Sequence, residues 1–198
     1  MRSAAMLLLS LAAVPHAPQR PAQVHAEFRI FSGATEITDS TRLRIMPTGT
    51  RENPVTVAEG GPLSVELAAG IYDVQAFHLR RGAIASIRWA ERLVVMYYPD
   101  EGGRHLEVIN FESGFGALQL RATNGQLNAY DVAIFPAGNR VSPAAASVTG
   151  DDYRLFVVPA GRYDLRVRPA GASDDSEDTH WFLDLEVPPD RTRLKQIP

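Results

Sequence analysis

Residues 160–165, AGRYDL, and their near-copy at residues 69–74, AGIYDV, decide the fold. A second pair of segments, residues 45–54 (IMPTGTRENP) and 134–143 (IFPAGNRVSP), has five identical positions at a constant offset of 89 residues. The first pair lies at an offset of 91, and the two tryptophans form a third pair at an offset of 92. An offset that grows slowly and in order is typical of a duplicated unit with small loop insertions. The chain is therefore predicted to contain two copies of one structural unit.

Both copies have the period of β-strands. Residues 162–168 (RYDLRVR) alternate charged and apolar side chains, and residues 41–45 (TRLRI) and 180–187 (HWFLDLEV) follow nearly the same pattern. This period of two is typical of a strand with one buried and one wet face. Further strands, separated by short turns rich in Gly, Asn and Asp, are predicted at residues 63–67, 88–98, 104–111, 117–121 and 153–158.

These patterns predict an all-β chain of two tandem, related antiparallel β-sandwich domains, Ig-like or prealbumin-like. No stretch after the leader has a sustained helical period, and regular short strands favour a sandwich over alternating strands and helices. The first domain is predicted at residues 27–122 and the second at residues 123–198, with the turn Asn124-Gly125 at the boundary. The connection is short and not rich in Ser or Pro, so the two units are expected to touch.

The first 26 residues are predicted to be a signal peptide. Arg2 supplies a positive start, residues 4–14 form a short apolar run, and Val24-His25-Ala26 is a small-residue cleavage pattern. The apolar run is shorter than the about 20 residues that cross a bilayer. An uncleaved anchor is the alternative. The expected location is periplasmic or secreted, with no membrane span in the mature chain.

Composition excludes several classes of function. The chain has no cysteine, which rules out disulfides, thiolate metal sites and a cysteine nucleophile. Without Arg2 and Arg20 the chain keeps 18 basic and 23 acidic side chains, a net charge of −5. An acidic surface of mixed sign predicts no binding to nucleic acid or to an anionic membrane.

The second copy resembles a known class of modules. It runs through residues 131–138 (DVAIFPAG), 149–158 (TGDDYRLFVV) and 159–165 (PAGRYDL). This order of strand, Gly turn, strand and Pro-x-Gly-x-Tyr resembles the carboxypeptidase-regulatory-like and transthyretin-like β-sandwich modules of bacterial envelope proteins. The first copy matches more loosely. The resemblance implies an accessory, adhesive or spacer role without catalysis.

The duplicated residues are interpreted as determinants of the fold. Tyr72 and Tyr163 are expected to bury their rings while each hydroxyl bonds the backbone, and the aspartates that follow them point the other way. Gly70 and Gly161 are expected at positive φ in a tight turn. Recognition is then left to residues that differ between the copies.

The two tryptophans allow two interpretations. An exposed aromatic ring is a platform for a sugar face, which would make the protein a carbohydrate-binding module. Trp181, however, is expected to share a strand face with Leu183 and Leu185, as Trp89 does with Ile87. Buried strand tryptophans are typical of sandwiches, so both rings are predicted to lie in the core.

Two charged segments are candidate sites. A basic stretch found only in the first copy would grip a carboxylate, a phosphate or an acidic partner, and its alternative is a solvated face balanced by Glu91. An acidic hairpin tip found only in the second copy would hold Ca²⁺, and its alternative is a charged loop that protects a sheet edge. The candidate ligand-binding residues are His78, Arg80, Arg81, Arg88 and Arg92, and the candidate calcium ligands are Asp174, Asp175, Glu177 and Asp178.

No motif indicates catalysis. A Gly-x-Ser-x-Gly elbow, a His-Glu-x-x-His helix and a phosphate loop are all missing from the sequence, and the histidines lack the spacing of a zinc site. We therefore predict no enzyme activity and no cofactor. The predicted function is an exported binding or structural module whose partner is a protein or glycan of the cell envelope. The alternative is a carbohydrate-binding protein with an exposed aromatic platform.

Overall fold

The computed structural model describes residues 22–61, 63–97, 103–150, 152–173 and 176–198. Within these ranges the chain has no α-helix, only strands and two single 3-10 turns, so the all-β prediction is confirmed. No helix in this part of the chain is long and apolar enough to cross a membrane. The strands are β1 Gln23–Ser32, β2 Thr35–Glu36, β3 Thr41–Pro47, β4 Thr56–Glu59, β5 Leu63–Ala68, β6 Gly70–Arg80, β7 Ala83–Val95, β8 Arg104–Asn110, β9 Phe115–Ala122, β10 Tyr130–Pro136, β11 Val148–Thr149, β12 Arg154–Pro159, β13 Gly161–Pro169, β14 His180–Val187 and β15 Thr192–Ile197.

The strands form four sheets. Sheet I contains β1, β2, β5 and β8, and sheet II has the order β4-β3-β6-β7. Sheet III has the order β11-β12-β9-β15, and sheet IV the order β10-β13-β14. Sheets I and II enclose one apolar core, which includes Phe28, Leu43, Ile45 and Val74. Sheets III and IV enclose another, which includes Leu118, Ile134, Phe156 and Leu165.

The same pairing of strands occurs twice. In sheet I, β1 pairs antiparallel with β5 and parallel with β8, and in sheet III, β9 pairs antiparallel with β12 and parallel with β15. In sheets II and IV the central strand, β6 or β13, lies between its two antiparallel neighbours. The duplication in the sequence therefore has a counterpart in topology. We refer to residues 23–110 and 115–197 as the first and second halves.

The sheet order differs from the predicted boundaries at two places. Residues 115–122 were expected in the first domain, but β9 pairs with β12 and β15 of the second half. The predicted cleavage after Ala26 falls inside β1, where Val24 and Ala26 are fully buried. Residues 1–21 of the predicted signal peptide lie outside the described residues. The alternation of apolar and polar residues does not reveal which sheet a strand joins, because a strand in sheet I and a strand in sheet III would show the same pattern.

Sheets I and III pack against each other, so the halves are in contact. Phe31, Leu106 and Val108 of the first half meet side chains of β9 and β12, among them Leu155 and Val157. This apolar layer shields the facing sides of sheets I and III from water.

A polar network closes the same layer at one side. The Tyr153 hydroxyl donates to Glu27 Oε1 at 2.6 Å and accepts from Arg29 Nη1 at 2.8 Å. Arg29 also binds the Glu36 carboxylate through Nε and Nη2, at 2.8 and 2.6 Å. Burial raises the pKa of Tyr153, so the hydroxyl remains a donor.

Candidate functional site

A buried aspartate holds a turn and a β-bulge together in the first half. The Asp73 carboxylate accepts hydrogen bonds from Gly49 N and Arg92 N, both at 2.9 Å, and from Thr48 Oγ1 at 3.2 Å. Arg92 has φ 56°, and it lies where the pairing of β7 with β6 shifts register. The carboxylate thus binds the β3 turn to the bulged strand and satisfies two amides that the sheet leaves unpaired.

The second half repeats this arrangement. The Asp164 carboxylate accepts from Asp184 N at 3.0 Å, Gly138 N at 3.3 Å and Arg140 Nε at 3.4 Å. Asp184 has φ 57° at the corresponding register shift between β13 and β14. As expected, both aspartates point away from the core, yet both are buried beneath their turns. Their role in both halves is structural.

The two carboxyl groups give stability a defined dependence on pH. Burial alone would raise the pKa of Asp73, but the hydrogen bonds from Arg92 N, Gly49 N and Thr48 Oγ1 lower it. At Asp164 the Asp184 amide contributes most to lowering the pKa. A lowered pKa in the folded state contributes stability that is fully present above the unfolded pKa of about 3.9 and is lost as the pH falls through the folded pKa.

We therefore expect the melting temperature, followed by circular dichroism, to drop as the pH falls below about 4. The variant Asp73→Asn/Asp164→Asn should show a smaller drop over this range, because its two side chains do not titrate. Equal slopes for the parent and the double variant would contradict this assignment.

The duplicated tyrosines behave as predicted, and the glycines do not. The Tyr72 hydroxyl donates to Ala68 O at 2.7 Å, and the Tyr163 hydroxyl to Pro159 O at 2.6 Å. Gly70 does not have positive φ, and neither does Gly161, its counterpart. At Gly70 and Gly161 a Cβ would lie 3.5 and 3.6 Å from the rings of Tyr72 and Tyr163, which is an ordinary contact, so neither φ nor crowding requires glycine there.

The prediction that both tryptophans lie in the core is wrong. Trp89 and Trp181 are half-buried on the outer faces of sheets II and IV, since their strand neighbours Ala90 and Phe182 face the cores. The bulge at Leu183 and Asp184 reverses the alternation, so Leu185 and Val187 face the core while Trp181 does not. A period-two reading cannot anticipate a two-residue bulge.

Each tryptophan ring is covered by an arginine. The Arg51 guanidinium lies 4.6 Å from the Trp89 ring centroid, and that of Arg140 lies 4.4 Å from the Trp181 ring. The Arg of the duplicated P-x-G-x-R segment therefore stacks on the Trp in both halves. The two stacks differ in one respect, because Arg140 also donates to buried Asp164 whereas Arg51 pairs with exposed Glu91 at 2.9 Å.

The predicted basic stretch is spread along β7 and does not form one pocket. Arg80 and Arg81 are exposed at the turn before β7, and Arg88 Nη2 binds Asp190 Oδ1 of the second half at 2.6 Å. At a rise of about 3.3 Å per residue, Arg92 lies roughly 35 Å from Arg81 along the strand. The His78 ring packs edge-on against Phe111 with centroids 6.0 Å apart. Ligand binding by these five residues stays a prediction.

Only two of the four predicted calcium ligands belong to the residues that the structure describes. Asp174 and Asp175 lie outside the described residues, while Glu177 and Asp178 are exposed on a turn. Among the residues that the structure describes, no group of three or more His, Asp or Glu side chains is arranged to hold a metal ion.

A groove of about 390 Å³ runs beside β7, between the two halves. It was not predicted, because residues 189–191 of its wall lie about 80 to 100 residues along the chain from the other lining segments. The Arg88–Asp190 ion pair lies in it. The lining residues are Arg88, Trp89, Ala90, Glu91, Leu93, Val108, Ile109, Asn110, Pro189, Asp190 and Arg191.

The outer faces of sheets II and IV differ in polarity. Ile71 pairs with Val94 on sheet II, and these side chains are 42% and 47% exposed. The corresponding pair on sheet IV is Arg162 and Glu186. Large exposed apolar side chains are concentrated on strands of sheet II, at Val57, Ile71, Ile84, Ile87 and Val94.

Comparisons with known proteins add little to this description. No family model matches the chain, and no curated protein does. Among solved structures, the Bacillus anthracis TIE protein is 16% identical, with a TM-score of 0.30, over 88% of this chain and 34% of that one. This chain thus spans about a third of that structure. The tip fimbrial protein Mfa3 of Porphyromonas gingivalis is 9% identical, with a TM-score of 0.31, over 88% of this chain and 94% of that one.

A candidate adhesin of Bacteroides ovatus is 10% identical, with a TM-score of 0.31, over 96% of this chain and 99% of that one. At TM-scores of 0.30 and 0.31 these likenesses carry no argument about this chain.

Proposed function

We propose that this chain is an exported, non-enzymatic binding or structural module of two tandem, related β-sandwich domains. Its partner is a protein of the envelope or the extracellular space, bound by the outer face of sheet II. In this proposal the module is periplasmic or secreted and belongs with the carboxypeptidase-regulatory-like and transthyretin-like modules that its second half resembles. The observation that supports a binding face is the apolar pair Ile71 and Val94, where the other half has Arg162 and Glu186.

The duplication supplies an internal reference for this argument. Arg162 and Glu186 stand at the same places of the same pairing, so the fold tolerates a charged pair there. Half-exposed Ile71 and Val94 lower solubility, and they are not buried against other residues of the chain. An exposed apolar patch on an otherwise polar protein is typical of an interaction surface.

The test exchanges the pairs between the halves. In the variant Ile71→Arg/Val94→Glu, sheet II receives the pair of sheet IV, so the fold should persist and the melting temperature should change little. Envelope proteins retained by the parent on an affinity column are identified and purified, and their Kd is measured for both forms. We expect at least a tenfold weaker Kd for the variant, since about 1.4 kcal/mol of lost apolar contact corresponds to that factor.

The matched control is Arg162→Ile/Glu186→Val, which should leave the Kd unchanged. Equal binding by the parent and by Ile71→Arg/Val94→Glu would refute the proposed face.

A carbohydrate-binding function is the second candidate. It is favoured by Trp89, which borders the groove beside β7 and is covered by Arg51, an arginine that pairs with exposed Glu91. Titration with defined oligosaccharides would then shift the fluorescence of a Trp181→Phe variant, whose signal comes from Trp89 alone. A saturable shift there, with none in Trp89→Phe, would support the glycan; no shift in either variant would exclude it for those oligosaccharides.

A further inference from the structure

β7, which forms one edge of sheet II, is the longest strand in the described part of the chain. β7 spans 13 residues at the end of the order β4-β3-β6-β7, while the opposite edge strand, β4, has four. An edge strand presents a row of amides and carbonyls along one side, which is a template for a further strand. Natural proteins usually shorten or cover such edges. β7 is long, and Ile84, Ile87 and Val94 are half-exposed along it.

Side chains cover edges elsewhere in the molecule. On β14, the counterpart of β7, the Glu186 carbonyl accepts from Arg193 Nη1 at 2.7 Å. On β8 the Val108 amide donates to Thr192 Oγ1 at 2.9 Å. By the registers of β8 and β15, His105 holds the place of Arg193 in the first half. Its ring lies beside Glu107, with Nε2 and Oε2 3.6 Å apart. The arginine that covers β14 is thus replaced by a histidine at the equivalent place in the first half.

The β7 edge also borders a groove that could hold a further strand, and its charged side chains are mostly positive. The groove of about 390 Å³ runs along residues 88–91 of β7. The strand and the turn before it carry Arg80, Arg81, Arg88 and Arg92, and the single acid on the strand, Glu91, pairs with Arg51. In the structure Arg88 already binds a carboxylate, that of Asp190. The edge is therefore complementary to an acidic strand.

We propose that the partner presents an extended acidic segment, which adds to β7 as a fifth strand of sheet II. Its backbone would pair with the outward amides and carbonyls of β7, and its carboxylates with the arginines along the strand. An incoming carboxylate takes the place of Asp190 on Arg88. This inference rests on the proposed function and names the kind of partner that the first half would bind.

The first experiment uses a fluorescently labelled octapeptide of alternating valine and glutamate, with a valine–lysine octapeptide as control. We expect the full chain to bind the glutamate peptide at least tenfold more tightly than the lysine peptide, with affinity falling as salt rises. Hydrogen exchange should show added protection at residues 83–92 and not on β14. Equal affinity for both peptides, no measurable binding of the glutamate peptide, or protection confined to other strands would overturn the proposal.

Proline variants test the pairing itself. Adjacent amides in an antiparallel strand point to opposite sides. Of Ser86→Pro and Ile87→Pro, one therefore removes an amide that faces β6, and the other removes an amide on the open edge. The variant that loses the amide facing β6 should melt at a lower temperature. The other should keep the parental melting temperature and lose at least tenfold in peptide affinity. Parental affinity in the stable variant would exclude strand addition at this place.

The charge contribution is tested with Arg80→Gln/Arg81→Asn, in which asparagine tolerates the positive φ of residue 81. It should bind the glutamate peptide severalfold more weakly, whereas the control Arg162→Gln on sheet IV should not. Retained affinity in Arg80→Gln/Arg81→Asn would remove these arginines from the site.

If an envelope partner is lost by Ile71→Arg/Val94→Glu but binds the stable proline variant normally, the proposed function stands and strand addition fails.

Discussion

Asp164→Ala is expected to lower the free energy of unfolding by about 3 kcal/mol, because it leaves buried donors without an acceptor. Asp164 is 4% exposed, and its carboxylate accepts hydrogen bonds from the amides of Gly138 and Asp184 and from Arg140. An alanine cannot replace these bonds, and water has little access to the amides. Asp73→Ala in the first half should have an effect of similar size, since its carboxylate also accepts two amides.

Urea denaturation followed by circular dichroism measures this loss. The matched control is Asp131→Ala, whose half-exposed carboxylate lies 3.4 Å from Arg168 on the same sheet. A surface ion pair of this kind contributes about 0.5 kcal/mol or less. If Asp164→Ala lost no more stability than Asp131→Ala, the carboxylate would not be the group that holds the turn to the bulge.

Gly116→Ala is expected to lower the free energy of unfolding by about 3 kcal/mol. The cause is steric overlap of the new Cβ, and not backbone strain, because the φ of Gly116 is not positive. An added Cβ at Gly116 would overlap the carbonyl oxygen of Pro188 and lie 2.9 Å from Val187 Cγ1. Val187 is the last residue of β14 and Pro188 the first residue of the connection to β15, so the backbone itself would have to move. By the strand registers, the first half has Val24 at the same place, so the extended conformation tolerates a side chain.

The control for crowding is Gly161→Ala. A Cβ there would approach no atom more closely than 3.6 Å, which is an ordinary contact, and its φ is not positive. We expect its stability to stay within about 0.5 kcal/mol of the parent. A Gly116→Ala variant as stable as Gly161→Ala would show that the connection after β14 can shift at no cost.

Features governed by local pattern were predictable from the sequence. Alternation in residues 41–45 and 162–168 predicted β3 and β13, and the duplication predicted a hydroxyl-to-backbone bond for Tyr72 and Tyr163. These features depend on a few neighbouring residues, which the sequence displays directly.

Features that depend on register or on distant segments were not predictable. The bulge at Asp184 reverses the side-chain alternation and places Trp181 on an outer face, away from Leu185, while Trp89 shares an outer face with Ile87, which is 51% exposed. The groove beside β7 joins residues 88–93 to residues 189–191, which no local pattern connects. The signal that would have revealed the bulges is the repeated aspartate after each tyrosine, because a buried carboxylate needs amides that the ladder does not use.

The parallel pairs β1–β8 and β9–β15 have a mechanical consequence. Tension that enters at the start of one strand and leaves at the end of its parallel neighbour slides the two strands along each other. The hydrogen bonds of the pair then bear the force together, whereas an antiparallel hairpin pulled at its open end breaks them one after another. With one such shear-loaded pair in each half, the described part of the chain is expected to resist stretching at two points in series.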